Sequence, residues 1–151
     1  MIRDDVKTAL VAAMKARDAT RTAAIRLIQS AIKNRDIELR TASAQPDDDL
    51  LVTEVLQKMA KQRRESIEMF ESGGRDELAA VEKAELAVIE GFLPRQLDEA
   101  EAKAAIAAVV AELGATSVKD MGRVMAAVKE RFAGTLDMAK ASGMVKAALA
   151  G

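Results

Sequence analysis

The chain has 151 residues, with 23 Lys and Arg against 24 Asp and Glu, a formal net charge of −1. It holds no His, Cys, Trp or Tyr and only 3 Phe, which excludes Cys–His and Ser–His–Asp nucleophile systems, zinc and haem ligation, and disulfides, and leaves little for a base-stacking platform. No run reaches the ~18–20 apolar residues of a membrane span, and Met1-Ile2-Arg3-Asp4-Asp5 lacks an apolar leader core and is acidic too early for a transit peptide, so a soluble cytosolic protein is expected.

Alanine, leucine and charged residues with scarce proline predict an all-α fold. Ile2, Val6, Leu10 and Ala13 mark a first helix, with Asp4 and Asp5 placed where the helix dipole favours acids. Asp18 caps a second, whose stripe Ile25, Ile28, Ile32 and Leu39 runs to about residue 40. Thr41–Pro46 reads as a loop, after which Asp47, Asp48 and Asp49 open a long third helix carrying Val52, Val55, Leu56, Met59, Ile67 and Phe70. At ~1.5 Å per residue it spans roughly 35 Å. Ser72-Gly73-Gly74 stops it. A fourth helix starts near Asp76 with Leu78, Val81, Leu86, Ile89 and Leu93 expected to face inward.

Pro94 marks a domain joint, because it disfavours helix at Leu93. The expected organisation is a helical N-terminal domain over 1–94, a linker at 95–97 and a three-helix tail domain over 98–151. Asp98 with Glu101 forms a capping box opening the fifth helix, which uses Ile106, Val109, Val110 and Leu113 and ends at Gly114. Ser117 with Asp120 opens the sixth (Met121, Val124, Met125, Val128, Phe132), closed by Gly134, and Asp137 caps the last (Met144, Val145, Leu149). The methionines at 121, 125, 138 and 144 read as core filler.

Charge is segregated although the net is small. From Lys7 to Arg40 eight bases face three acids, and Lys58, Lys61, Arg63 and Arg64 follow. Residues 65–90 reverse the sign, with eight acids against Arg75 and Lys83. Arg26, Lys33 and Arg40 recur every seven residues, so they share a helix face that suits a polyanion backbone. The alternative is a solvated face whose cations pair with the acidic fourth helix. Arg63 interrupts the apolar stripe of the third helix, and Glu82 and Glu85 interrupt that of the fourth. Two helices joined by a Gly-Gly turn pack antiparallel, which brings Arg63 towards these carboxylates as a half-buried ion pair. The competing reading makes Lys61, Arg63 and Arg64 a cationic patch for phosphate. Glu82-x-x-Glu85 alone is a poor metal or acid–base site in a chain without histidine, and neither a metal nor a cofactor is expected.

The motifs Leu27-Ile28-x-x-Ala31-Ile32-Lys33-Asn34, Lys61-Gln62-Arg63-Arg64-Glu65-Ser66-Ile67, Gly73-Gly74-Arg75-Asp76-Glu77-Leu78, Glu82-x-x-Glu85-Leu86 and Phe92-Leu93-Pro94 resemble the YqeY-like proteins. The stretch Met121-Gly122-Arg123-Val124-Met125, continuing to Gly134 and Val145-Lys146, is similar to the tail domain of the B subunit of the tRNA-dependent amidotransferase. Together they are the marks of the GatB/YqeY family across essentially the whole chain. The resemblance implies a two-part helical fold that binds tRNA or a tRNA-handling enzyme as an accessory. It adds Lys119, Arg123, Lys129 and Lys140 to the binding candidates Arg26, Lys33, Arg40, Lys61 and Arg64. It transfers no catalytic residue, since the amidotransferase's catalytic cradle has no counterpart here. A carbon–nitrogen ligase label with glutamine as amide donor is inherited at most in name. An adaptor that docks a protein partner without RNA is the other non-catalytic reading.

Overall fold

The computed structural model describes residues 1–150, and these are all-α. Seven helices follow in order: α1 (Ile2–Lys15), α2 (Ala19–Glu38), α3 (Asp48–Ser72), α4 (Asp76–Phe92), α5 (Glu99–Leu113), α6 (Met121–Phe132) and α7 (Met138–Ala150). They fall into two compact units, Met1–Leu93 and Pro94–Gly151, each with its own core.

In the first unit, Val6 of α1, Ile25 and Ile28 of α2, Val52 and Leu56 of α3, and Ile89 of α4 are essentially fully buried. Each such side chain contributes ~1.5–3 kcal/mol relative to exposure. The three consecutive aspartates before and within α3 have three separate partners. Asp47 accepts from the Leu50 amide and caps α3, Asp49 accepts from the Ile2 amide at the start of α1, and Asp48 takes the guanidinium of Arg3. One local run therefore starts two helices and ties them together.

The structure refines the end of α2 and supplies the end of α1, which the sequence left open. α2 stops at Glu38 and tightens into a 3-10 turn over Leu39–Thr41, so Arg40 leaves the α-helical row that holds Arg26 and Lys33. Arg17 closes α1 with φ of 55°. Its amide donates to Met14 O and the next amide, Asp18, donates to Ala13 O, the paired bonds of a Schellman closure. Asp18 then caps α2 through the Arg21 amide. Gly74 at φ 72° closes α3 with the same pair of bonds, Gly74 to Glu71 O and Arg75 to Phe70 O.

α3 and α4 form an antiparallel hairpin longer than the core it serves. Buried residues of α3 end at Ala60, and α4 buries only Ala79 and Ile89. The inward face of α4 is therefore corrected: Leu78 and Val81 are exposed, at 38% and 56%, along with Met69 of α3 at 74%. Their apolar spacing is that of a buried stripe, but α1 and α2 pack near the other end of the hairpin.

The second unit packs α5, α6 and α7 around Ile106, Val109, Val124, Val128 and Val145, with the four methionines at its margin. The Asp98–Glu101 capping box opens α5. Asp120 accepts from the amides of Thr116 and Ser117, but the segment it organises is a 3-10 turn, Val118–Asp120, and α6 itself begins at Met121. Asp137 accepts from the Ala139 amide at the start of α7.

Candidate polyanion-binding surface

The acids of α4 neutralise only part of the basic sequence that precedes them. Arg63 Nε lies 2.8 Å from Glu85 and 3.2 Å from Glu82, and Arg64 is 3.3 Å from Glu90. Glu71 pairs with Lys83 within the hairpin. Among the described residues Lys7, Lys15, Arg17, Arg21, Arg26, Lys33, Arg40, Lys58 and Lys61 are exposed and form no ion pair. Internal pairing thus accounts for Arg63 and Arg64 and leaves the cations of α1, α2 and the middle of α3 open to solvent.

Arg63, Glu82 and Glu85 form a half-buried cluster between α3 and α4, each side chain 21–23% exposed. Distance and direction disagree here: Arg63 Nε and Glu82 Oε2 are buried and close, yet neither completes a hydrogen bond, so the contact is a charge contact with poor alignment. Burial raises the Glu82 pKa above the ordinary carboxylate value. The Arg63 charge opposes that rise, and the neighbouring Glu85 carboxylate adds to it. Two carboxylates held against one arginine occupy the groups that an acid–base or metal site at Glu82-x-x-Glu85 would need. No group of acids among the described residues has the arrangement of a metal site.

The α2 candidates Arg26 and Lys33 are exposed on one face, with Gln29 and Asp36 at the intervening turns. Lys33, Gln29, Ile32 and Asp36 meet Arg3, Val6 and Lys7 of α1 in an open cleft of about 130 Å³. Arg3 donates to both oxygens of Asp36 at 2.8 and 3.0 Å and to Asp48 at 2.8 Å. The Arg3 hydrogen bond, assisted by the charges of Arg3 and Arg40 against burial, lowers the Asp36 pKa below the ordinary range. Lys7 escaped the sequence reading as a site residue, because only the packing of α1 on α2 brings it beside Lys33.

In the second unit Arg123 is engaged by its own fold. Nη1 donates to Leu113 O at the end of α5 and Nη2 to Asp120. Lys119, Lys129 and Lys140 are exposed and without an ion pair among the described residues. Arg131 and Arg95, by contrast, are bound to Glu112 and Glu101.

Residues 3–149 match the YqeY-like protein family. The chain belongs to that family. Curated relatives share part of its length. The Altered inheritance of mitochondria protein 41, mitochondrial, of Eremothecium gossypii is 35% identical over 88 residues, covering 58% of this chain and 46% of the relative. Its namesake in Saccharomyces cerevisiae is 33% identical over 93 residues, covering 62% and 46%. The Candida glabrata protein of that name is 36% identical over 88 residues, covering 58% and 47%. The YqeY-like chain spans about half the length of the curated relatives it matches. Neither the family description nor these names designates a catalytic activity.

The relatives are named as mitochondrial, which corrects the cytosolic expectation. That expectation rested on the lack of a membrane-length apolar run, which suits any aqueous compartment, and on the acidic stretch Met1-Ile2-Arg3-Asp4-Asp5, which does not settle the compartment. Among the described residues no helix is long and apolar enough to cross a membrane, which separates membrane spans from the rest but does not choose among compartments.

Proposed function

We propose that this YqeY-like chain is a non-catalytic helical accessory protein that binds a polyanion, with tRNA as the partner class implied by the family resemblance. The observation that carries the reading is the set of exposed cations on α1, α2 and the middle of α3 that form no ion pair among the described residues. Unpaired lysine and arginine that neutralise phosphates release the counterions condensed on the nucleic-acid backbone. A sequence-independent grip of this kind needs no aromatic platform, in keeping with three phenylalanines.

Titration of total tRNA against the full chain in a native gel at low salt tests the reading. A shift that weakens steeply with salt supports it, with a log–log slope near −4.5 for about five phosphate contacts at roughly −0.9 each, the duplex DNA value. No shift at high micromolar protein overturns it.

The adaptor reading draws on a different feature, the acidic end of the α3–α4 hairpin with exposed Met69, Leu78 and Val81. Scattered exposed apolar residues are common, but three at one end of an otherwise acidic hairpin suit a basic protein surface. Partners retained from a ribonuclease-treated lysate and lost in a Met69→Ser, Leu78→Ser, Val81→Ser variant support the adaptor. Retention by both proteins, or by neither, counts against it.

A further inference from the structure

The α1–α2 cleft differs from the other basic surface of the first unit because it has walls. Its floor is apolar, made by Val6 and Ile32, at 1% and 4% exposure. One end is closed by Arg3, whose guanidinium is held from two sides by Asp36 and Asp48. Both oxygens of Asp36, the one acid lining the cleft, are taken by Arg3. That end is therefore an ion cluster in which four of the five guanidinium N–H groups are engaged. Lys7 enters from α1 and Lys33 from α2, and neither has an acidic partner among the described residues. The Gln29 amide, one turn before Lys33, lines the same space.

Counting charges around the cleft, Arg3, Lys7 and Lys33 stand against Asp36 and Asp48, which leaves one positive charge in excess. Lys7 and Lys33 line the cleft from different helices, and the one carboxylate lining it with them is bidentate to Arg3, so an anion admitted there meets net positive charge. The volume of about 130 Å³ holds a phosphate group with a few waters. Arg26 continues the row one pair of turns along α2, so a chain of phosphates has a next contact.

We propose that Lys7 and Lys33, with the Gln29 amide, form a phosphate seat in the cleft between α1 and α2. The phosphate comes from an RNA backbone or from a free phosphorylated small molecule. As a backbone contact the seat rests on the polyanion reading above and gives that reading a defined anchor. As a small-molecule site it is independent of it.

The test uses the full chain and two probes, inorganic phosphate followed by amide NMR shifts and total tRNA followed by native gel. The variants are Lys7→Gln with Lys33→Gln, the charge-keeping Lys7→Arg with Lys33→Arg, and Lys58→Gln, an exposed lysine of α3 outside the cleft. Phosphate is expected to shift the amides around Lys7, Gln29 and Lys33 in the wild type and to lose those shifts in the Gln pair. The Gln pair is expected to bind tRNA at least tenfold more weakly at low salt, with a log–log slope flatter by about 0.9, the loss of one phosphate contact. The Arg pair restores binding, which separates charge from folding. If tRNA binds the Gln pair as tightly as the wild type and phosphate moves no cleft amide, the seat is overturned and the RNA reading stands. If phosphate moves the cleft amides while tRNA binds no form of the protein, the seat stands for a small phosphorylated ligand and the RNA reading falls. If phosphate shifts are no larger at the cleft than at Lys58 and Lys61, and the Gln pair loses no more tRNA affinity than Lys58→Gln, the site is ordinary surface charge and the proposal fails.

Discussion

Arg17 sits where Gly74 and Gly114 sit in other helix ends of the same chain, at φ of 55° against 72° and 63°. The left-handed region places Cβ too near the following carbonyl oxygen, a cost of about 1–2 kcal/mol that glycine avoids. Glycine returns part of this as unfolded-chain entropy, so Arg17→Gly is expected to stabilise the first unit by about 0.5–1 kcal/mol. Urea unfolding of the purified protein checks it, and a midpoint at or below the wild type would sink the strain argument. The same residue explains a gap in the sequence reading. Where glycine marked an end, at Gly73-Gly74 and Gly114, the end was legible, because only the backbone chemistry of one residue is involved. The end of α1 carried no such mark, and only the hydrogen bonds to Met14 O and Ala13 O reveal it.

The α3–α4 hairpin is the element where local pattern and tertiary packing disagree. Caps such as Asp18, Asp47 and Asp98 are satisfied within three residues, so a short window of sequence reports them. Which face of α4 is covered depends on how far α1 and α2 reach, and apolar spacing alone cannot report that for Leu78 and Val81. The charged residues in the hairpin seam have consequences of their own. Arg63→Ala leaves Glu82 and Glu85 facing each other half-buried and is expected to cost about 2 kcal/mol, below the range for a fully buried pair. Arg63→Met, which refills the seam with apolar volume, is expected to cost less, and equal stability for both variants and the wild type would refute a structural role. Burial holds the Glu82 proton more tightly in the folded chain than in the unfolded one. The folded state then carries the extra proton, and the Glu82 contribution to stability falls as pH rises through the interval above the ordinary carboxylate pKa. Glu82→Gln removes that loss, so its advantage over the wild type grows from about pH 4 to pH 7. An advantage independent of pH, measured by urea unfolding across that range, contradicts this assignment. Asp36 behaves in the opposite sense. Arg3 lowers its pKa, so its contribution is full above the ordinary carboxylate pKa and is lost as pH falls below it. Arg3→Ala is expected to blunt that acid sensitivity, visible as a smaller drop in urea midpoint between pH 5 and pH 3 than the wild type shows.

At the scale of the whole molecule the net charge of −1 conceals a division of labour among helices. Within the first unit acidic residues concentrate in the far half of the hairpin, and most of the unpaired cations lie on α1, α2 and the middle of α3. Mean composition reports none of this. The order of charges along the chain does, and the structure adds which of them are already engaged. Arg64 and Arg123 are engaged, by Glu90 and by the end of α5, whereas Arg26, Lys33 and Lys61 stay open. Binding through open cations has a measurable form, because each phosphate contact contributes a fixed decrement to the salt dependence of affinity. Neutralising Lys7, Arg26 and Lys33 together is expected to flatten the log–log salt slope for tRNA by about 1.8, one phosphate at the cleft and one at Arg26. Neutralising Arg64 and Arg123 instead is expected to leave the slope nearly unchanged, since their charges answer to partners inside the fold. Filter binding of tRNA across a salt series, with circular dichroism confirming that each variant is folded, compares the two sets directly. Equal slope changes for both sets would mean that ion pairing within the protein does not decide which cations meet RNA, and the surface assigned to α1 and α2 would lose its basis.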